Sequence, residues 1–184
     1  IDLSGRSWTP ISNFSGTLDG NGYTISGLNI TGDYNGTVGL FGLITSNVTI
    51  KDLIVEGNIN VSCDGYFGVG GFAGGMGSGR LTITNCVNKV NVTCTYTIRN
   101  SSNVGAGGFV GTHSDGDGGQ EMNISNSINL GDVYAICQSG NNDWGFAGGI
   151  AGCTVFDSID NCINYGDVTN DGGKYTGGIV GLDF

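Results

Sequence analysis

Residues 159–168 read IDNCINYGDV, and the same pattern stands earlier in the chain as ISNSINLGDV (124–133), ITNCVNKVNV (83–92), IKDLIVEGNI (50–59) and, shortened, ISGLNI (25–30). Successive copies start 25, 33, 41 and 35 residues apart. A second motif alternates with it: GLFG (39–42), GGFAG (70–74), GGFVG (107–111), GGIAG (148–152) and GGIVG (177–181). Constant motifs at a varying period read as strands joined by loops of variable length. Aligned, the copies form columns. One is Ile25, Ile50, Ile83, Ile124, Ile159; the next is Leu28, Leu53, Cys86, Ser127, Cys162. Others are Asn88, Asn129, Asn164 and Ile59, Val92, Val133, Val168, and the second motif contributes Leu40, Phe72, Phe109, Ile150, Ile179. Like residues in register at one-coil spacing are what a β-solenoid requires, because a single coil cannot bury its apolar face alone and must stack on its neighbours. An Asn column suits such a stack, since each amide carries both donor and acceptor.

Composition agrees. Glycine supplies 37 of 184 residues and proline one, with two Glu, three Lys and three Arg. Helix formers are scarce and β-branched residues plentiful, an all-β profile. One domain of about five irregular coils spans 1–184, with an N-terminal coil over 1–45 and later coils over 46–184. A formal charge of −10 repels nucleic acid and anionic membranes. There is no run of eighteen apolar residues, hence no expected membrane span. The absence of an initiator Met and of a signal-like segment reads as a mature form or an excised piece.

The alternating motifs, together with the opening Trp8-Thr-Pro-Ile followed by FSGTLDGNGYTISGL (14–28) and VGLFG (38–42), resemble GLUG repeats of secreted and surface proteins. The resemblance covers essentially the whole chain. It implies a right-handed parallel β-helix, of the sort found in adhesins, stalks and the non-catalytic regions of surface proteases. Its pattern carries no catalytic residues.

Eight Asn-x-Ser/Thr triplets, at Asn13, Asn29, Asn35, Asn47, Asn60, Asn91, Asn100 and Asn123, accompany six cysteines. Together they point to a secreted, N-glycosylated eukaryotic protein; the other reading is a bacterial surface protein in which the triplets carry no meaning. Cys63 and Cys94 follow the repeat in adjacent coils and are the first candidates for a disulfide, with Cys153 and Cys162 second. Cys86 and Cys162 share a column but lie two coils apart, beyond bridging reach.

Other chemistry is weaker. The glycines of FSGTLDGNGYTISGL lack the Lys and the following helix of a phosphate loop. They read as a turn, Asp19-Gly20-Asn21-Gly22, between two short strands. Asp115, Asp117 and Glu121 form a weak calcium candidate that lacks the EF-hand pattern; no other cofactor is expected. Asp132 and Asp167 share a column and offer the one pair resembling a glycosidase dyad, with few basic residues to assist. His113, the single histidine, has no nucleophile partner in any motif.

One puzzle concerns the second motif. The residues after its core column are Phe41, Ala73, Val110, Ala151 and Val180, also apolar, although adjacent strand residues face opposite sides. Either the strand bends and long loops cover both sides, the reading favoured here, or an outer stripe packs on another molecule.

The functional expectation is a non-catalytic extracellular structural protein, a glycosylated solenoid in a filament or stalk, with copies of itself stacked head to tail. Its N-terminal segment is strand-like and GGIVGLDF ends without a cap, so both ends are expected to offer edges. The alternative is an adhesin or glycan-binding module using loop aromatics such as Tyr66, Tyr96 and Trp144. A polysaccharide-acting enzyme ranks below both.

Overall fold

A computed structural model describes residues 1–64, 67–97, 104–113, 120–138, 144–155 and 157–183. The chain is all-β, a right-handed parallel solenoid, and no helix among the described residues is long and apolar enough to cross a membrane. Every pairing between named strands is parallel, and each strand pairs with its counterparts in the coils before and after.

Each coil contributes to four sheets. Sheet 1 stacks Gly16–Asp19, Val48–Lys51, Arg80–Thr84, Glu121–Ser125 and Ser158–Asp160. Sheet 2 stacks Thr24–Tyr34, Ile54–Asp64 and Val87–Thr97, then two interrupted strands, Ile128–Asn129 with Val133–Cys137 and Ile163–Asn164 with Val168–Asp171. Sheet 3 holds Phe67–Gly70, Val104–Gly107, Gly145–Gly148 and Tyr175–Gly177, and coil 1 joins it only through a bridge from Val38 to Val69. Sheet 4 holds Phe41–Ile44, Ala73–Met76, Val110–His113, Ala151–Thr154 and Val180–Asp183.

The corner between sheets 1 and 2 is made by residues that tolerate a left-handed backbone. Asn21, Asp52, Asn85, Asn126 and Asn161 have φ of 47°, 53°, 54°, 50° and 49°. Asn and Asp enter this region more readily than other non-glycine residues because their short polar side chains bond locally. This column passes unnoticed at the level of sequence, where Asn in the second place after Ile reads only as a turn former.

Register corrects one expectation. Ile50, Ile83, Ile124 and Ile159 do stack. Their coil-1 member, however, is Leu18, paired with Ile50, while Ile25 pairs with Val55 and Leu28 with Gly57. The DGNG stretch is the first corner, lengthened by two residues between the Asp19–Lys51 and Thr24–Ile54 pairs. ISGLNI therefore begins one strand later than its similarity to later copies implies. The flanking strands exist, but they belong to different sheets and each stacks on coil 2.

Sheets 3 and 4 resolve the puzzle of the two apolar columns. They are the legs of a tight turn at Gly71-Phe72, Gly108-Phe109 and Gly149-Ile150, folded back inside the coil. Strand Val104–Gly107 contacts Val87–Thr97 of sheet 2 on one side and Val110–His113 of sheet 4 on the other. A Cβ at Gly105 would collide with the carbonyl oxygen of Gly111, and one at Gly111 with the amide nitrogen of Val69. The legs approach closely because glycine leaves nothing between them. Phe72, Phe109, Ala73, Val110 and Ala151 are fully buried, in one core with Ile50, Ile83 and Ile124. Cover thus comes from within the coil, and the loops expected to supply it are not needed. Phe72 and Phe109 stack at 4.8 Å between centroids, near the rise of one coil.

Candidate functional site

Three side-chain ladders climb sheet 2 and its corner, and their last rungs form the most distinctive chemical surface of the molecule. The inner ladder is Asn88, Asn129, Asn164, the first two fully buried. Asn88 Nδ2 donates to Asn129 Oδ1 at 2.7 Å, and Asn129 Nδ2 donates to Asn164 Oδ1 at 2.7 Å. Each amide also closes a local turn: Asn129 Nδ2 donates to the Gly131 carbonyl at 2.7 Å and its Oδ1 accepts the Gly131 amide at 3.3 Å. All the hydrogen-bonding capacity of Asn129 is thereby used. Towards the N-terminal end the ladder stops at Val55 and Ile25, which occupy its register without polar groups.

The outer ladder is Asn58, Asn91, Asp132, Asp167. Asn91 Nδ2 donates to Asn58 Oδ1 at 3.2 Å, and Asn91 Oδ1 accepts the Asp132 amide at 3.1 Å. Asp132 Oδ1 accepts the Asp167 amide at 2.9 Å. Sequence reasoning thus brings Asp132 and Asp167 together correctly. Yet they lie on an exposed outer face, and the Asp132 carboxylate is engaged in holding the next coil's backbone. Exposed apolar side chains flank this pair: Leu130 (46%), Ile163 (44%), Tyr165 (70%) and Tyr134 (37%). The third ladder lies at the left-handed corner, where Asn85 Nδ2 donates to Asp52 Oδ1 at 3.3 Å and Asn161 Nδ2 to Asn126 Oδ1 at 2.6 Å.

The other candidates are distributed elsewhere. Asp115 and Asp117 lie outside the described residues. Glu121 is committed across coils, pairing with the Arg80 guanidinium at 2.5 Å and accepting from Asn123 Nδ2 at 2.8 Å. Among the described residues no His, Cys, Asp and Glu side chains gather as a metal site. Asn13, Asn29, Asn35, Asn47, Asn60 and Asn91 are exposed, Asn123 is half-buried, and Asn100 lies outside the described residues. Among the described residues, Asn91 is also the one triplet asparagine built into a ladder through its own amide nitrogen.

Cys63 and Cys94 do meet, with sulfurs 3.8 Å apart in the core. Their strands are not in direct register: Cys63 pairs with Tyr96 and Cys94 with Val61, so the two are diagonal neighbours. Cys153 is buried in sheet 4, while the Cys162 sulfur faces the carbonyls of Ile124 and Asp160 at the sheet 1 corner. The Cys86, Cys94 and Cys153 thiols are held protonated. Burial pushes Cys86 up to about 11. Burial, with the Asp157 and Asp183 carboxylates, pushes Cys153 up to about 12. The neighbouring Cys63 and burial raise Cys94 well above its ordinary value.

Two placements escape sequence reasoning. His113 is buried, with Nδ1 2.7 Å from Asp157 Oδ2. Asp157 also accepts the amides of Met122 at 2.9 Å and Val155 at 3.1 Å, clamping successive coils together. No motif links His113 to a carboxylate 44 residues away. Tyr96, expected on an exposed loop, is instead fully buried, its hydroxyl donating to Asn170 Oδ1 at 3.1 Å. Trp144 packs against Phe146 and Tyr175, with the Lys174 ammonium 4.6 Å from its ring centroid. Tyr66 lies outside the described residues.

The ends differ. Residues 1–14 run along the first coil. The Ile1 ammonium donates to the Thr24 carbonyl, Leu3 N to Ser26 O, Trp8 N to Asn29 O and Ile11 N to Leu40 O. Trp8 Nε1 reaches the Leu40 carbonyl at 3.0 Å. On the opposite side, Ile159, Val168 and Ile179 of coil 5 are more exposed than their counterparts in coil 3, while the Asp157 side chain that opens the coil is buried.

No family model matches the chain and no solved structure matches it. A stretch of 107 residues, 58% of the chain, is 37% identical to part of halomucin from Haloquadratum walsbyi. The chain spans about 1% of the length of that relative.

Proposed function

We propose that this chain is a non-catalytic extracellular structural protein: a glycosylated β-solenoid rod that forms part of a filament or stalk and is extended by coil-on-coil stacking, most simply between copies joined head to tail. The carrying observation is the stacking of parallel strands and like side chains coil on coil in constant register, a contact that repeats without closing on itself. Unpaired strand edges are templates for further pairing, and a non-closing contact of this type makes a rod. The similarity to part of halomucin and the exposed triplet asparagines support an extracellular setting. A structural role also accounts for the polar groups an enzyme would use. Asp132 holds a backbone amide, His113 and Asp157 clamp coils, and burial keeps the Cys86 and Cys153 thiols protonated.

A second reading, a glycan-binding module, is favoured by one observation. Tyr134 and Tyr165 lie exposed beside Asp132 and Asp167 on sheet 2, a surface with both apolar faces and hydroxyl acceptors for a sugar. Electron microscopy of native material decides first: rods or fibrils are expected, and discrete monomers at high concentration reject the polymer. Selective glycan-array binding that disappears with Tyr165→Ala would place the second reading ahead. Mass spectrometry before and after deglycosylation is expected to show a mass loss; no change removes the glycoprotein component.

A further inference from the structure

We propose that the Asn91 side chain carries an N-linked glycan whose first sugars lie back over the outer face of coil 4 and cover its exposed Leu130 and Tyr134. This rests on the glycosylated-rod reading and names one of its attachment sites, together with the surface that the attached sugar touches.

Alternation along the strand sets the outer face of sheet 2. In coil 4 it turns out Ile128, Leu130, Asp132, Tyr134 and Ile136, one carboxylate among four large apolar or aromatic side chains. Leu130 (46%) and Tyr134 (37%) remain exposed. Coil 4 has coil 3 on one side and coil 5 on the other, so this exposure is lateral. Coil 3 turns Asn91 and Thr93 to the same face, the first and third residues of a triplet. Thr93 is in register with Tyr134, and Asn91 stands beside Asp132, whose amide donates to it at 3.1 Å. Asn91 is therefore about 4.8 Å from the coil 4 strand, with Leu130 and Tyr134 as its two diagonal neighbours. The other described triplets on this face have polar surroundings. Asn29 is in register with Asn58, and Asn60 with Thr31 and Thr93. Of the three, Asn91 alone borders the apolar strand.

The outer ladder leaves room for the sugar. Asn91 Nδ2 carries two hydrogens and donates one of them to Asn58 Oδ1 at 3.2 Å. Glycosyl transfer from a diphosphate-activated oligosaccharide joins the anomeric carbon to this nitrogen. The second hydrogen leaves as a proton, the diphosphate departs with its bonding pair, and the ladder bond is kept. A pyranose ring has an apolar face of C–H groups and a rim of hydroxyls. Leu130 and Tyr134 suit the face. The Asp132 carboxylate accepts the Asp167 amide through one oxygen and has acceptor capacity left for the rim. The covalent tether decides the occupant. A short flexible tether gives an effective concentration on the order of millimolar, so a contact too weak to hold a free saccharide still closes. The same sugar chain stands in the way of a second protein at this patch.

The test compares the full chain, secreted from a eukaryotic host that transfers N-glycans, with Thr93→Val. This substitution keeps the strand and the Asn91–Asn58 bond but removes the triplet. Glycopeptide mass spectrometry reads occupancy, and hydroxyl-radical footprinting reads Leu130 and Tyr134. Asn91 is expected to be occupied. Both residues are expected to label at least about threefold more slowly than in Thr93→Val, the factor given by a tethered sugar that rests on the patch most of the time. Tyr23, exposed at the corner of coil 1, is the control and labels equally in both. Equal labelling of Leu130 and Tyr134 with Asn91 occupied overturns the proposal. So does protection that persists in Thr93→Val and grows with protein concentration, which identifies a second copy as the occupant. An empty Asn91 beside an occupied Asn29 or Asn60 also overturns it and leaves the glycoprotein reading standing. Absence of glycan at every triplet removes both.

Discussion

Asparagine does two separate jobs in this chain, and position within the repeat decides which. At the second place after the column isoleucine it takes the left-handed corner, as at Asn85, Asn126 and Asn161. At the fifth place it turns inward and joins the buried ladder, as at Asn88, Asn129 and Asn164. The ladder is legible in sequence because an amide satisfies its copy above and below. The corner is not, because an Asn recurring there reads equally as an ordinary turn former, and its left-handed φ is seen only in the placed backbone. The thiols behave as small apolar groups, with a consequence for pH. Cys86 and Cys153 keep their protons in the fold up to about 11 and 12, against about 9 for the free thiol. Between those limits the unfolded chain binds fewer protons than the folded one, so stability is fully present below pH 9 and declines as pH rises towards 11–12. Urea titrations at pH 8 and pH 10.5 are expected to differ by about 2 kcal/mol for each of the two thiols. Cys86→Ala is expected to flatten the profile by its share; an unchanged slope in that variant would show that the thiol does not titrate as described.

The hairpin of sheets 3 and 4 is the element that departs furthest from simple alternation. Its glycine content announces a turn, but the sequence does not reveal that both legs lie inside the coil. Alternation presumes one wet face, and a leg packed on both sides has none. Gly111 is the most demanding position, since a methyl group there meets the Val69 amide and the backbone of Gly68. Gly111→Ala is expected to destabilise the protein by about 3 kcal/mol or more, through strain that a close-packed core cannot absorb. Thermal unfolding checks this. A loss below about 0.5 kcal/mol, the level of an ordinary surface substitution, would mean that the legs stand apart.

Across the whole molecule stability is a sum over neighbouring coils. Coils 2 to 4 have a neighbour on each side, coil 1 has residues 1–14 along it, and coil 5 has only coil 4. Native-state hydrogen exchange of the isolated, unassembled 184-residue chain is expected to follow this gradient. Amides of Ile83 and Val92 should exchange only with global unfolding, while those of Ile163 and Val168 exchange orders of magnitude faster through local opening. A coil 5 as protected as coil 3 in that isolated chain would overturn the nearest-neighbour account of stability.

By itself the sequence determined the parallel stacked architecture, because columns of isoleucine, phenylalanine and asparagine gain only when identical neighbours meet. Tertiary structure decided the first register, replacing Ile25 with Leu18 under Ile50, since similarity between copies does not show where a lengthened corner resumes. It decided that the glycine-rich legs double back, and it joined His113 to Asp157 and Cys63 to Cys94. It also decided that residues 1–14 pair along coil 1 and that the inner amide ladder runs one way, from Asn88 to Asn129 to Asn164. Hydrogen bonds have direction, and direction is a property of placed atoms that residue types alone do not carry.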